Sequence, residues 1–250
     1  MRKIAVILYG PPGSGKGTQA NLLASKLGLV HFDTGKYLEF VVHNPVRQKE
    51  KTTQREAELF DKGILMTPSF VFREVTQATK KIAMAGLGVV FSGSPRTVYE
   101  AERFMPILER LYGRENIFVF ELMLPPRHSI KRNSARMMCS VCGYGLLSAY
   151  YPKVKAKYCP VCGGKFYKRT LDNPAVIKVR LKEYVNRTMP IFGILKKSGY
   201  AIEPIDAKLP PYKVLGKVAQ TIFLEKSGAR RGVRATAASA GTVDFYRLLF

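Results

Sequence analysis

The sequence predicts a parallel α/β sheet flanked by helices, and three features predict it. A continuous apolar run at residues 4–9 leads into a glycine-rich loop and then into a helical stretch at 18–27. Further apolar runs alternate with amphipathic stretches along most of the chain. A short segment holding all four cysteines interrupts that alternation. Strands covered on both faces read as unbroken apolar runs, and their alternation with helices marks a parallel sheet.

Taken in order, residues 4–9 form the first strand. Leu22, Leu23 and Leu27 recur at helical spacing and Gly28 ends that helix. Residues 29–32 form a second strand, and the polar, mixed-charge stretch 36–62 predicts short helices. Phe70, Val71, Val75, Ala78, Ile82 and Ala85 share a helix face over 70–85. A third strand at 88–91 runs into Ser92-Gly93-Ser94-Pro95-Arg96. Residues 99–112 form a helix in which Pro106 predicts a kink. The fourth strand, 117–124, is closed by Pro125 and Pro126. Helical spacing resumes at 174–197, a fifth strand lies at 200–205, and a last helix covers 212–225.

Charge narrows the partners. Lys and Arg number 41 against 18 Asp and Glu, a net charge of +23. This excludes an acidic disordered chain and points to anionic partners: nucleotides, nucleic acid or an acidic surface. No apolar run approaches the roughly 18 residues of a membrane helix. The chain enters its first strand without a signal-like region, so a cytoplasmic location is expected. Residues 226–250, rich in Gly, Ala, Ser and Arg, predict a basic, disordered tail.

Residues 10–18, Gly-Pro-Pro-Gly-Ser-Gly-Lys-Gly-Thr, follow a strand and open a helix, as a phosphate-binding P-loop requires. The glycines Gly10, Gly13, Gly15 and Gly17 let the backbone curl so that N–H groups point inward, with Ser14 and Thr18 adding hydroxyls. The helix N-terminus contributes partial positive charge, and Lys16 a full one. A second constellation is Cys139-x2-Cys142 and Cys159-x2-Cys162, sixteen residues apart, with Gly143 and Gly163 after each pair. Four thiolates at this spacing suit a closed, tetrahedral, structural Zn²⁺ site.

Gly17 stands where P-loops usually carry Ser or Thr, and Gly-x-Pro-Gly-x-Gly-Lys-Gly-Thr-Gln resembles the adenylate kinase family of nucleoside monophosphate kinases. Asp33-Thr34-Gly35-Lys36, Gly63-Ile64-Leu65-Met66-Thr67 and Ser92-Gly93-Ser94-Pro95-Arg96 resemble the family's acceptor segments. The cysteine module resembles the lid of its zinc-bearing bacterial members. The resemblance spans roughly residues 1–225. It implies a P-loop core at 1–33, 68–132 and 171–225, a monophosphate-binding insertion at 34–67 and a zinc lid at 133–170. It implies transfer of the γ-phosphoryl of Mg-ATP to AMP, with Mg²⁺ and Zn²⁺ as cofactors, in a monomer.

Residue by residue, the resemblance puts ATP on Gly10, Gly13, Ser14, Gly15, Lys16, Gly17 and Thr18, with Arg132 against its adenine. It puts AMP on Thr34, Gly35, Leu65, Met66, Thr67, Gly93, Arg96 and Glu100. Lys16, Arg96, Arg136, Arg169 and Arg180 are the implied catalytic cations; zinc takes Cys139, Cys142, Cys159 and Cys162. On the acceptor side three positions depart from the pattern. Glu39 replaces an arginine for the AMP phosphate, with Lys36 or Arg47 as compensating cations. Ser92 replaces an aspartate for magnesium-bound water. Glu100 replaces a glutamine that reads adenine, which allows GMP as an alternative acceptor. An inactive nucleotide-binding homologue is a second alternative. Basic charge, cysteine knuckles and Tyr150, Tyr151, Tyr158 and Tyr167 also describe a zinc-ribbon RNA-binding protein, with nucleic acid as a main or secondary partner. His31, His43 and His128 are expected to be surface or structural.

Overall fold

A computed structural model describes residues 3–146 and 156–226. The tail expected to be disordered, and Tyr150 and Tyr151, lie outside the described residues. Five strands, β1 (Ala5–Tyr9), β2 (Leu29–Phe32), β3 (Gly88–Phe91), β4 (Ile117–Met123) and β7 (Ile202–Asp206), form one sheet in the order β2-β3-β1-β4-β7. Every pairing in it is parallel. The period-two alternation of β1 divides the core. Ala5, Ile7 and Tyr9 join one apolar cluster; Ile4, Val6 and Leu8 join the other. The first cluster is closed by α4 (Pro68–Met84), α5 (Val98–Tyr112) and α8 (Pro190–Lys197). The second is closed by α1 (Lys16–Leu27) and α9 (Pro211–Lys226). Phe91, Phe104 and Phe120 are fully buried, each contributing on the order of 2 kcal/mol of hydrophobic stabilisation.

The helix in which Pro106 predicts a kink runs without a break from Val98 to Tyr112. Pro106 and Glu102, whose carbonyl loses its intrahelical donor, both lie on the exposed side, where water can take the bond. The stretch at 174–197 is not one regular helix. It runs as α7 (Pro174–Glu183), a π-helical turn (Tyr184–Thr188) and α8.

Between β2 and α4 the chain builds α2 (Thr34–Val42) and α3 (Lys51–Asp61), as the polar stretch predicted. After β4 comes α6 (Pro126–Ser134), followed by a small antiparallel ribbon, β5 (Met138–Cys139) with β6 (Phe166–Tyr167). Parallel strands deliver all their following loops to one edge of the sheet. The loops after β1, β2 and β3 therefore meet, and α6 packs on the first of them. Binding sites in open α/β sheets form at this carboxyl edge.

Candidate nucleotide site and metal centre

The loop after β1 curls tightly. Gly10 has φ +144°, and a Cβ there would lie 2.6 Å from the Leu122 carbonyl, so only glycine fits. Gly13 and Gly15 also have positive φ, and Gly15 caps α1. Ser129 on α6 donates a hydrogen bond to the Pro12 carbonyl at 2.6 Å, bracing the loop from outside. Gly17 and Thr18 occupy the first turn of α1, whose amides have no partners within the helix. Lys16 arches over the loop, its Nζ donating to the carbonyls of Gly10 (2.7 Å) and Pro11 (2.9 Å).

Arg96 is held by three contacts. Its Nε donates to the Gly93 carbonyl at 2.6 Å, its amide to Glu100 Oε2 at 3.0 Å, and its carbonyl accepts from Thr188 Oγ1 at 2.9 Å. Gly93 lies close under both neighbours: a Cβ would sit 2.8 Å from Arg96 Nη2 and 3.2 Å from Thr34 Cβ, so a side chain there would displace the guanidinium. The loop after β3 thus touches Thr34 at the start of α2, beside Gly35. Met66 is buried, and Leu65 and Thr67 are half-buried beside it.

Arg136, Arg169 and Arg180 approach from the other side. Arg136 binds the buried Asp172 through Nε–Oδ2 (2.9 Å) and Nη2–Oδ1 (2.5 Å), and Arg180 lies 3.9 Å from Oδ1. Arg169 pairs with Glu39 at 3.4 Å. The cations feel one another. Burial first, then Arg96, Arg180 and Arg136, hold the Lys16 ammonium well below its ordinary pKa, with Asp33 opposing. Burial, then Arg96, Arg136 and Arg169, lower Arg180 to about 9. Burial also lowers Arg96; Glu100 and Asp33 oppose that shift and Arg169 adds to it. Such a concentration of positive charge is stabilised when an anion enters it. The Oγ atoms of Ser14 and Ser94, on the loops after β1 and β3, and Oγ1 of Thr34, at the start of α2, are buried without partners among the described residues. A buried unpaired hydroxyl costs about 1–3 kcal/mol, so these atoms also point to a polar ligand.

The three acceptor-side departures acquire partners. Glu39 pairs with Arg169. Arg47 is taken by Glu74 through two bonds of 3.2 and 3.1 Å. Ser92 Oγ lies 2.8 Å from His31 Nε2, and His31 Nδ1 lies 2.6 Å from Asn21 Oδ1. Burial lowers the His31 pKa, Asp33 raises it and Lys36 lowers it. With the neutral ring donating from Nδ1 to Asn21, Nε2 accepts the Ser92 proton. The Ser92 oxygen then offers lone pairs, as an acceptor for bound water must. His31 is therefore tied to the site loops, whereas His43 pairs with Asp61 (3.2 Å) at the exposed end of α2.

Glu100 caps α5. Its Oε1 accepts from Thr97 Oγ1 at 2.8 Å and its Oε2 from the Arg96 amide, while Thr97 Oγ1 accepts from the Glu100 amide at 3.3 Å. Burial raises its pKa and these donors oppose the shift. The Thr-x-x-Glu spacing at 97–100 was the available signal for this capping box. Other supporting residues carried no local signal. Glu56 accepts from Thr67 N (2.7 Å) and Oγ1 (2.5 Å), Glu183 accepts from Leu65 N (3.0 Å), and Arg187 donates to the Leu65 carbonyl (3.4 Å). Arg132 donates to the carbonyls of Ala207 (2.8 Å) and Lys208 (3.4 Å), in the loop before α9.

The four cysteine sulfurs lie within 4.8 Å of one another. Cys139–Cys162 and Cys142–Cys159 are 3.4 and 3.7 Å apart, near the ~3.8 Å edge of a tetrahedron with Zn–S bonds of ~2.3 Å. The two knuckles repeat the same contacts: the Val141 and Val161 amides each lie 3.4 Å from the sulfur two residues earlier. The residues fit zinc, which crosslinks the two halves of the module. For magnesium, the site loops offer the Thr18 and Ser92 hydroxyls and the Asp33 carboxylate. That set suits a hydrated ion carried in on phosphate oxygens.

Comparisons with known proteins give the family. A family model described as adenylate kinase matches residues 8–200. A curated adenylate kinase of Caldicellulosiruptor bescii is 32% identical over 197 residues, covering 79% of this chain and 89% of the relative. That of Zymomonas mobilis is 30% identical over 226 residues, covering 90% and 97%. That of Novosphingobium aromaticivorans is 34% identical over 197 residues, covering 78% and 88%.

Proposed function

Given that the chain belongs to the adenylate kinase family, we propose a division of labour among its residues for the reaction it catalyses, the reversible conversion of Mg-ATP and AMP to two ADP. The observation that carries the assignment is the meeting of Lys16, Arg96, Arg136, Arg169 and Arg180 around few carboxylates. They come from the P-loop, the loop after β3, the end of α6, the strap after β6 and α7.

In-line phosphoryl transfer spreads negative charge over the moving group and leaves the protein mainly positioning and electrostatic work. The P-loop amides, with Ser14, Lys16 and Thr18, hold the donor phosphates. Mg²⁺, when bound with ATP, neutralises phosphate oxygens. Lys16 exchanges its two loop carbonyls for phosphate. Arg132 lies against the donor adenine, beside the loop before α9. Arg96, pinned through Gly93, Glu100 and Thr188, grips the acceptor phosphate next to Thr34 and Gly35. Leu65, Met66 and Thr67 border the acceptor base; Glu100 supports that wall by capping α5. Arg136 and Arg180, fixed by Asp172, and Arg169 neutralise the transition state. No general base is needed, because the attacking acceptor oxygen is already anionic.

Residues 34–67 and 133–170 act as the two closing parts, and closure excludes water. Because one chain supplies every cation named, a monomer suffices. Among the described residues no helix is long and apolar enough to cross a membrane. The basic surface left over supports nucleic acid as a secondary partner, which a steep salt dependence of RNA binding would reveal.

The test of the assignment is Lys16→Met in a coupled ADP assay. We expect kcat to fall by about 10³-fold or more, with zinc content unchanged. Turnover within tenfold of the parent protein would remove Lys16 from the mechanism.

A further inference from the structure

We infer that Glu39 is a placeholder anion that latches the zinc lid to the acceptor-binding insertion until a phosphate takes its place. The inference rests on the assignment of Arg169 to the transferring phosphate.

Arg169 follows the lid ribbon, and Glu39 lies on α2, 130 residues earlier. Their ion pair joins the two inserted parts directly. A second contact lies alongside it: the Lys36 ammonium sits against Gly143 of the first knuckle, where even a Cβ would come within 2.6 Å. Between the two contacts is a cavity of about 230 Å³ lined by Lys36, Glu39, Met138, Ser140, Tyr167 and Arg169. The lid and the insertion thus meet directly at these two contacts.

Charge explains the contact. Asp172 serves Arg136 and Arg180, and among the described residues the carboxylate paired with Arg169 is Glu39. A guanidinium among four other cations is unfavourable until an anion reaches it, and a carboxylate and a phosphate oxygen offer it the same kind of acceptor. The two partners are unequally enclosed. The Arg169 side chain is 19% exposed and that of Glu39 45%. Glu39 can therefore turn into water while Arg169 stays in place, and an exposed carboxylate gives up its pair at small cost. When acceptor phosphate arrives near Arg96, Glu39 repels it and Arg169 attracts it; both favour exchange of the carboxylate for the phosphate. The pair holds the parts together before binding and competes with the substrate during it.

The test uses the full zinc-loaded chain and Glu39→Gln, which keeps size and removes charge. Hydrogen–deuterium exchange of nucleotide-free protein would follow the peptides spanning 34–42 and 137–146, with β4 as internal reference. We expect both peptides to exchange faster in Glu39→Gln, at an unchanged rate in β4. We expect the KM for AMP to fall roughly two- to fivefold, the range of a partly exposed ion pair. Raising salt should narrow the difference by loosening the parent protein. Glu39→Asp, charged but shorter, should fall between the two. Unchanged exchange in 137–146, or a KM for AMP that rises in Glu39→Gln, overturns the latch. If Glu39→Gln melts much lower than the parent protein, the Glu39→Asp exchange and KM decide. Arg169→Lys separates the underlying assignment: an unchanged kcat there would remove Arg169 from the chemistry, whatever the exchange data show.

Discussion

Arg136 and Asp172 form a two-point ion pair across 36 residues, with the carboxylate completely buried and Arg180 standing 3.9 Å from its Oδ1. One buried carboxylate thus orients two of the five cations in the nucleotide site. Its cost of desolvation is met only while both arginines remain charged and in place.

Replacing Asp172 by Asn should therefore do two things. It should lower stability by about 2–3 kcal/mol, less than for a fully enclosed pair, because the Arg136 side chain is 26% exposed. It should also lower kcat, since Arg136 and Arg180 lose their common anchor. Denaturant unfolding and steady-state kinetics on one preparation check both. A variant as stable and as fast as the parent protein would show that Asp172 is not the anchor.

Zinc removal should loosen the lid before the core. The ribbon β5–β6 is two residues per strand, and its knuckles are drawn around four sulfurs rather than an apolar core. After verified loss of zinc we expect the melting temperature to fall by about 5 °C or more, roughly 2 kcal/mol for a chain of this size. Limited proteolysis should accelerate first within 137–170. An unchanged melting curve in zinc-free protein would refute a structural role for the metal.

Glu121 predicts a pH dependence of stability unrelated to catalysis. It sits in β4, beside Tyr9 in the register, and accepts a hydrogen bond from the Tyr184 hydroxyl at 3.3 Å. Burial pushes its carboxyl up to about 7, with Tyr184 and Lys196 opposing. The folded state then holds a proton that the unfolded chain releases near pH 4.3. Between those values the folded state binds more protons, so stability falls as pH rises from about 4.3 to 7 and levels off above. The contribution is about 4 kcal/mol at most across that window. In Glu121→Gln this component of the slope should vanish. Urea titrations of both proteins at pH 5, 6, 7 and 8 measure it; parallel curves would refute it.

Much of this molecule is written locally. The P-loop is contiguous, and each of its requirements, glycines for the curl, Lys16 for charge and the α1 N-terminus for the amides, lies within nine residues. The cysteine knuckles are set by two-residue gaps. The strands announce themselves because burial on both faces demands unbroken apolar runs. Even the Thr97–Glu100 cap was present as a spacing, although Glu100 drew attention as a reader of the acceptor base.

What only the tertiary structure decided is which charge meets which. Glu39 was an anion in a place that favours a cation, and nothing near it in the chain named Arg169 as its partner. Arg47 stood ready in the sequence to compensate, yet Glu74 holds it. Glu56 and Glu183 support Thr67 and Leu65 from other elements, and His31 joins Asn21 to Ser92. Electrostatic and hydrogen-bond energies depend on distance through space and fall away within a few ångströms of contact. Separation along the chain does not enter them, so these pairings exist only once the sheet has gathered its loops at one edge.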